Sequence, residues 1–213
     1  MHLRALAMAV RAVFLVGFMA CGKSSLGQEL ARRLDWDFVD LDAVIEARER
    51  QSIADIFRDR GERGFRVAET SALRHLIESL RSDTVLRDPI LRDTVVALGG
   101  GTFAQSANRE LLQSWPTVFL DVPLDELWQR SRDKAELRPL RKDRTEFDRL
   151  HRERLPDYRQ ATVTIVTSGK DPTSLCAEIE RSLQFWGKTD AGTTPASGSS
   201  ATSCDHFETG EPK

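Results

Sequence analysis

The sequence predicts an α/β fold with a parallel sheet covered on both faces, and three observations predict it. Short unbroken apolar runs recur along the chain, they alternate with stretches of helical spacing, and a glycine-bearing loop joins the first run to the first helix. Strands buried on both faces of a parallel sheet read as continuous apolar runs, because neither face alternates with solvent. Ala12-Val13-Phe14-Leu15-Val16 is the first such run. Leu26, Leu30 and Leu34 then mark one face of a helix. Trp36 to Asp42 reads as a second strand. Ser52 with Asp55 three residues on forms a capping box ahead of Ile53, Ile56 and Phe57, and Gly61 ends that short helix. Phe65, Leu73, Leu76, Ile77 and Leu80 outline a longer one. Val95 to Leu98, Val118 to Leu120 and Val163 to Val166 read as third, fourth and fifth strands, the last followed by a helix carrying Leu175, Ile179 and Leu183. The polar stretch Ser82 to Thr94 contains the repeat Leu86-Arg87-Asp88 and Leu91-Arg92-Asp93 and reads as a surface loop insertion.

Composition narrows the class. The chain has 213 residues, 40% hydrophobic and 30% charged, which fits one globular domain with some extra chain. Whole-chain disorder, a collagenous protein and a disulfide framework are excluded. A formal charge of -2 does not suit a general nucleic-acid binder. The segment Arg130 to Arg159 holds 11 basic and 7 acidic residues, a local excess that fits a small anionic ligand better than a long polyanion. Cys21, Cys176 and Cys204 form no CxxC pair and read as reduced thiols of a cytoplasmic protein. No apolar run reaches the roughly 18 residues of a membrane span. Arg4 and Arg11 followed by Ala12 to Cys21 could suggest a lipoprotein signal, but Phe18-Met19-Ala20 is a poor box before the cysteine. Fifteen of the 27 residues from Gly187 to Lys213 are Gly, Ser, Thr or Pro, too little apolar material to offset ordering entropy. The expected organisation is therefore a domain over residues 1–186 and a disordered tail over 187–213.

Gly17-Phe18-Met19-Ala20-Cys21-Gly22-Lys23-Ser24 satisfies G-x-x-x-x-G-K-[ST] between a strand and a helix, the context of a P-loop. Backbone N–H groups from Ala20 to Ser25 and the helix N-terminus can wrap a phosphate. Lys23 then reaches the β- and γ-phosphates and the Ser24 hydroxyl ligates Mg²⁺. Asp40 and Asp42, read at i and i+2 of a strand end, point to the same side, where they can hold a metal and grip a hydroxyl. Gly99-Gly100-Gly101 ends the third strand and leaves bare N–H groups, although spacing alone favours a plain flexible turn.

These segments together resemble the shikimate kinase family. Val16 to Gly27 is similar to that family's opening, and Phe38-Val39-Asp40-Leu41-Asp42 to its D-x-D strand. Ser52 to Phe57, Gly61, Gly64-Phe65-Arg66 and Glu69 resemble its substrate helix region. Gly99 to Gly101, Arg138-Pro139-Leu140 and Arg154-Leu155-Pro156-Asp157-Tyr158 complete the set in the family's order, over about residues 12 to 185. The resemblance implies a three-layer α/β/α P-loop kinase domain with a five-stranded parallel sheet and a mobile lid over about 133–145. It implies transfer of the γ-phosphate of ATP to the 3-hydroxyl of shikimate by a cytoplasmic monomer. Lys23 would stabilise the migrating phosphoryl group, Ser24 and Asp40 would serve Mg²⁺, and Asp42 would bind substrate hydroxyls and accept the proton. Arg66 and Arg154 would clamp the shikimate carboxylate beside Gly99, Gly100 and Gly101. Arg138 would close over the phosphates from the lid, Arg130 or Arg132 would lie near the adenine, and Lys170 would stand on the adenine side.

Ala20 departs from the family, which usually has Gly there, and Cys21 is also unusual, as a thiol that could make the loop oxidant-sensitive. Tyr158 reads as packing, and His2, His75, His151 and His206 show no metal spacing. Two other functions are open to such a sequence: a P-loop kinase of another polyol acid such as gluconate, and a non-catalytic nucleotide-binding regulatory module.

Overall fold

The computed structural model describes residues 12–81, 93–132 and 143–189. Five strands form one parallel sheet: β1 (Ala12–Val16), β2 (Asp37–Asp40), β3 (Thr94–Ala97), β4 (Thr117–Asp121) and β5 (Val163–Val166), in the order β2-β3-β1-β4-β5. The apolar runs occupy the centre. All five residues of β1 are fully buried, between β3 (Ala12 beside Thr94) and β4 (Phe14 beside Thr117). The edge strand β5 differs, with Ile165 buried and Thr164 and Val166 exposed, because a sheet edge has fewer neighbours to cover it.

Seven helices complete the described chain. They are α1 (Lys23–Leu34), α2 (Leu41–Glu49), α3 (Ile53–Arg81), α4 (Ser106–Leu112), α5 (Leu124–Arg132), α6 (Arg144–Tyr158) and α7 (Pro172–Thr189). The Ser52 capping box is present, since Ser52 Oγ accepts from the Asp55 amide at 3.1 Å and donates to its carboxylate at 2.7 Å. Gly61 breaks α3 with φ 64° and ψ -175°, and Phe57 stacks on Phe65 across that break with ring centres 4.6 Å apart. Three short helices, α2, α4 and α5, and the lid-side helix α6 were not legible as separate elements. Helix α7 runs to Thr189, three residues into the segment expected as tail. Most of the Ser82 to Thr94 stretch lies outside the described residues, but Thr94 itself is buried and opens β3.

The strand order decides where the site lies. Strand β3 sits between β2 and β1, so the turn after β3 emerges between the carboxylates after β2 and the glycine loop after β1. In a parallel α/β sheet the carboxyl ends of the strands are where ligands bind. The core that fixes these ends is tight. Replacing Leu15, which is fully buried at the centre of the sheet, with alanine is expected to cost about 2–5 kcal/mol in urea unfolding. A loss below about 1 kcal/mol would show that the central strand does not bear the packing assigned to it.

Candidate active site

The loop after β1 turns sharply to launch α1. Gly17 (φ 150°), Ala20 (φ 64°) and Gly22 (φ 93°) all take positive φ. Ala20 is thus held in the left-handed region, which costs an L-residue roughly 1–2 kcal/mol. Gly22 caps α1 without a side-chain hydrogen bond, leaving the first-turn N–H groups for an anion. Lys23 Nζ donates to Gly17 O and Phe18 O, each at 2.9 Å, and approaches Cys21 Sγ at 3.5 Å. Cys21 is buried, with its sulfur filling the space over Gly17. Ser25 is exposed in the first turn of α1.

The two aspartates are not strand neighbours as the sequence suggested. Strand β2 ends at Asp40 and α2 starts at the next residue, so Asp42 stands in the first turn of a helix. Asp40 is the N-cap of α2: its Oδ1 accepts from the Asp42 amide at 3.0 Å, while its Oδ2 accepts from Ser24 Oγ at 2.8 Å. Asp40 therefore faces the glycine loop. Asp42 faces the turn after β3, where a Cβ on Gly99 would lie 2.8 Å from its Oδ1.

Gly99-Gly100-Gly101 is not a free flexible turn but the point on which several side chains converge. A Cβ on Gly101 would lie 2.6 Å from both terminal nitrogens of Arg66, so only glycine lets that guanidinium lie against the backbone. A Cβ on Gly100 would lie 3.3 Å from the Met19 amide, which brings the turn against the phosphate loop. Gly100 O accepts from Arg154 Nη1 at 3.3 Å and from the Tyr158 hydroxyl. Arg66 and Arg154, far apart in sequence, thus reach one turn from two helices.

Tyr158 does more than pack. It is buried, and burial pushes its phenol well above the usual range, so it stays a donor to Gly100 O. Glu69 is the other residue whose part sequence reasoning missed. It is fully buried and accepts from Thr102 Oγ1 at 2.6 Å, Gln105 Nε2 at 2.6 Å and Arg66 Nη1 at 2.9 Å. Its place three residues after Arg66 on one helix is the only sequence signal for this pairing. Arg66 also pairs with Glu62 at 3.1 Å. Burial disfavours its charge, but Glu69 and Glu62 outweigh burial and raise its pKa.

Arg138 falls outside the described residues, as does the expected lid except for Asp143, the N-cap of α6, and Arg144 and Thr145 in its first turn. Lys170 pairs with Glu178 at 2.6 Å, Arg130 pairs with Glu126, and Arg132 is exposed. Among the described residues no group of three or more His, Cys, Asp or Glu could hold a metal, and no helix is long and apolar enough to cross a membrane. The hydroxyl and carboxylate of Ser24 and Asp40 are nevertheless hard oxygen donors, and Mg²⁺ is commonly held by one or two such groups together with substrate phosphates.

Residues 19–184 match the family described as shikimate kinase. The chain is 36% identical over 171 residues to the shikimate kinase of Persephonella marina, covering 80% of this chain and 97% of that protein. The chain belongs to the shikimate kinase family. The structure of shikimate kinase from Acinetobacter baumannii in complex with shikimate superposes with a TM-score of 0.72 at 32% identity, covering 89% of this chain and 99% of that one. A gluconokinase from Sinorhizobium meliloti gives a TM-score of 0.54 at 19% identity over 85% of this chain and 95% of that one, a likeness of fold alone. As a member of the shikimate kinase family the chain is an ATP-dependent small-molecule kinase with a three-layer P-loop fold. The non-catalytic module weighed above gives way to an enzyme.

The Glu69 network has a measurable signature. Glu69→Ala leaves one buried donor, Thr102, and two half-buried ones, Gln105 and Arg66, without this acceptor and is expected to cost about 3–5 kcal/mol in urea unfolding. Thr102→Val removes one donor and is expected to cost about 1–2 kcal/mol. Equal effects of the two changes would show that Glu69 does not join the three donors.

Proposed function

We propose that this chain transfers the γ-phosphate of ATP to the 3-hydroxyl of shikimate, with Mg²⁺, as a cytoplasmic monomer. The observation that carries the reading is the contact between the two halves of the site: the phosphate loop touches the Gly99–Gly101 turn, and that turn is flanked by Asp42, Arg66 and Arg154. A phosphoryl donor and a carboxylate-bearing acceptor held on either side of one backbone contact are close enough to react without diffusion between them.

In this reading the loop N–H groups from Ala20 to Ser25 and the α1 N-terminus bind the phosphates. Lys23 leaves the carbonyls of Gly17 and Phe18 and follows the charge that develops on the transferred group. Ser24, with Asp40 behind it, would hold Mg²⁺, which supplies charge neutralisation at the phosphate oxygens when bound. Asp42 accepts hydrogen bonds from substrate hydroxyls and takes the proton of the attacking one. Arg66 and Arg154 bind the carboxylate, since a guanidinium fork matches its two oxygens. Arg138 and Lys170 belong to the nucleotide side on family likeness. The buried free thiols of Cys21 and Cys176 are in keeping with a reducing compartment.

The experiment that tests the reading is ADP release with shikimate, quinate and gluconate side by side. Shikimate is expected to support turnover well above the other two, and turnover with gluconate alone would move the assignment to the runner-up. A second expectation separates the carboxylates. Asp42→Asn should lower kcat by about 10²-fold or more and resist rescue, whereas Asp40→Asn should recover in part with excess Mg²⁺. Rescue of the first variant and not the second would exchange their roles.

A further inference from the structure

Arg66 and Arg154 meet the same turn in different electrostatic company. Arg66 carries two carboxylates, Glu69 at 2.9 Å and Glu62 at 3.1 Å. Arg154 has no carboxylate partner among the described residues: its Nη1 donates to Gly100 O, and its guanidinium carbon lies 5.9 Å from the centre of the Phe18 ring. Yet a carboxylate stands three residues on in the same helix. Arg154 and Asp157 are i and i+3 on α6, a spacing at which opposite charges on a helix pair. The first half of α6 shows such a pair, Glu146 with Arg149 at 2.6 Å.

Asp157 pairs elsewhere. Its Oδ1 forms an ion pair with Arg109, 3.1 Å from Nη1, and accepts from Gln160 Nε2 at 3.4 Å. Arg109 belongs to α4 and is itself fixed, because Nη1 also donates to Phe103 O at 2.8 Å in the loop that follows the glycine turn. The Arg109–Asp157 pair is only 20% and 26% exposed, so it is less screened than a surface ion pair. A guanidinium already engaged by a carboxylate has fewer donors and less net charge for a second one.

We propose that Arg109 is a positioning residue for substrate binding: it holds the Asp157 carboxylate towards α4 and away from Arg154, so that Arg154 meets the substrate carboxylate with its charge uncompensated. Without Arg109, Asp157 turns to its i−3 neighbour and competes with the substrate. The inference rests on the reading of Arg154 as a carboxylate ligand given above. It assigns the fixed positive charge of the clamp chiefly to Arg154, since Arg66 is already balanced by Glu69 and Glu62.

The test is a double-mutant cycle with shikimate and ATP dissociation constants measured by calorimetry. Arg109→Ala should weaken shikimate binding about three- to tenfold and leave ATP binding unmoved. Arg109→Gln keeps a donor for Phe103 O but removes the charge; it should behave alike, and it covers the case in which the alanine variant does not fold. Asp157→Asn should bind shikimate as the parent does or slightly more tightly. Combining Asp157→Asn with either Arg109 variant should restore affinity to within about twofold of the parent. A mere brace between α4 and α6 predicts the opposite, that Asp157→Asn weakens binding as Arg109→Ala does and the double variant shows no recovery. Either of those results overturns the proposal. Arg154→Ala separates the two levels. If it weakens shikimate binding while the Arg109 variants do not, only the role of Arg109 fails. If it leaves shikimate binding intact, the carboxylate reading of Arg154 fails and takes this proposal with it.

Discussion

The active face depends on one carboxylate that water does not reach. Glu69 gathers Arg66 from its own helix, Thr102 from the turn after β3 and Gln105 from the start of α4. A buried carboxylate is tolerated only when charge and hydrogen bonds compensate its lost hydration. The three donors are therefore not independent conveniences. The direction of the Arg66 guanidinium, the path of the glycine turn and the entry of α4 are set together, and a change in one is felt by the other two. The lack of a Cβ at Gly99 belongs to the same constraint, since that atom would lie within 3.0 Å of Asp42, Thr102 and Glu69 oxygens.

The two polar side chains that open α1 are already engaged within the protein. Lys23 takes two loop carbonyls as acceptors, and Ser24 takes Asp40. Nucleotide phosphates compete with these internal partners, so binding strength is a difference between two sets of hydrogen bonds and not the sum of one. Ala20 adds to that balance, because its left-handed backbone is held by the loop's surroundings and not by its own preference.

Much of the frame was legible because strong local signals agreed. The apolar runs around Phe14, Val96, Phe119 and Ile165 are strands, the Ser52 box caps α3, and Gly61 breaks it. Asp42 was misplaced for a physical reason: Leu41-Asp42-Ala43-Val44-Ile45 is apolar enough to extend a strand, but Asp40 caps a helix there, and a two-residue overlap carries no periodicity to distinguish them. The glycine triplet looked like a loose turn because the groups that hold it, Glu69, Arg154 and Tyr158, arrive from distant segments. Tyr158 showed its bulk in the sequence but not its acceptor. Such pairings are tertiary facts, and no local pattern in one sequence encodes them.

The position of β1 has a consequence for how the chain is made. This most apolar strand comes early in the chain but lies at the centre of the sheet, and Ala12 waits for Thr94 while Phe14 waits for Thr117. As the chain leaves the ribosome, Ala12 to Val16 emerges long before either neighbour exists. Closing those distant pairings is the slow step expected of parallel topologies. Until β3 arrives, β1 is a bare, uncharged apolar segment with unpaired backbone on both sides, open to wrong partners on neighbouring nascent chains. Helix α1 follows directly and carries Leu26 and Leu30, so it can cover one face of β1 early; the edge towards β3 remains open until synthesis has passed residue 97, and the edge towards β4 until it has passed residue 121.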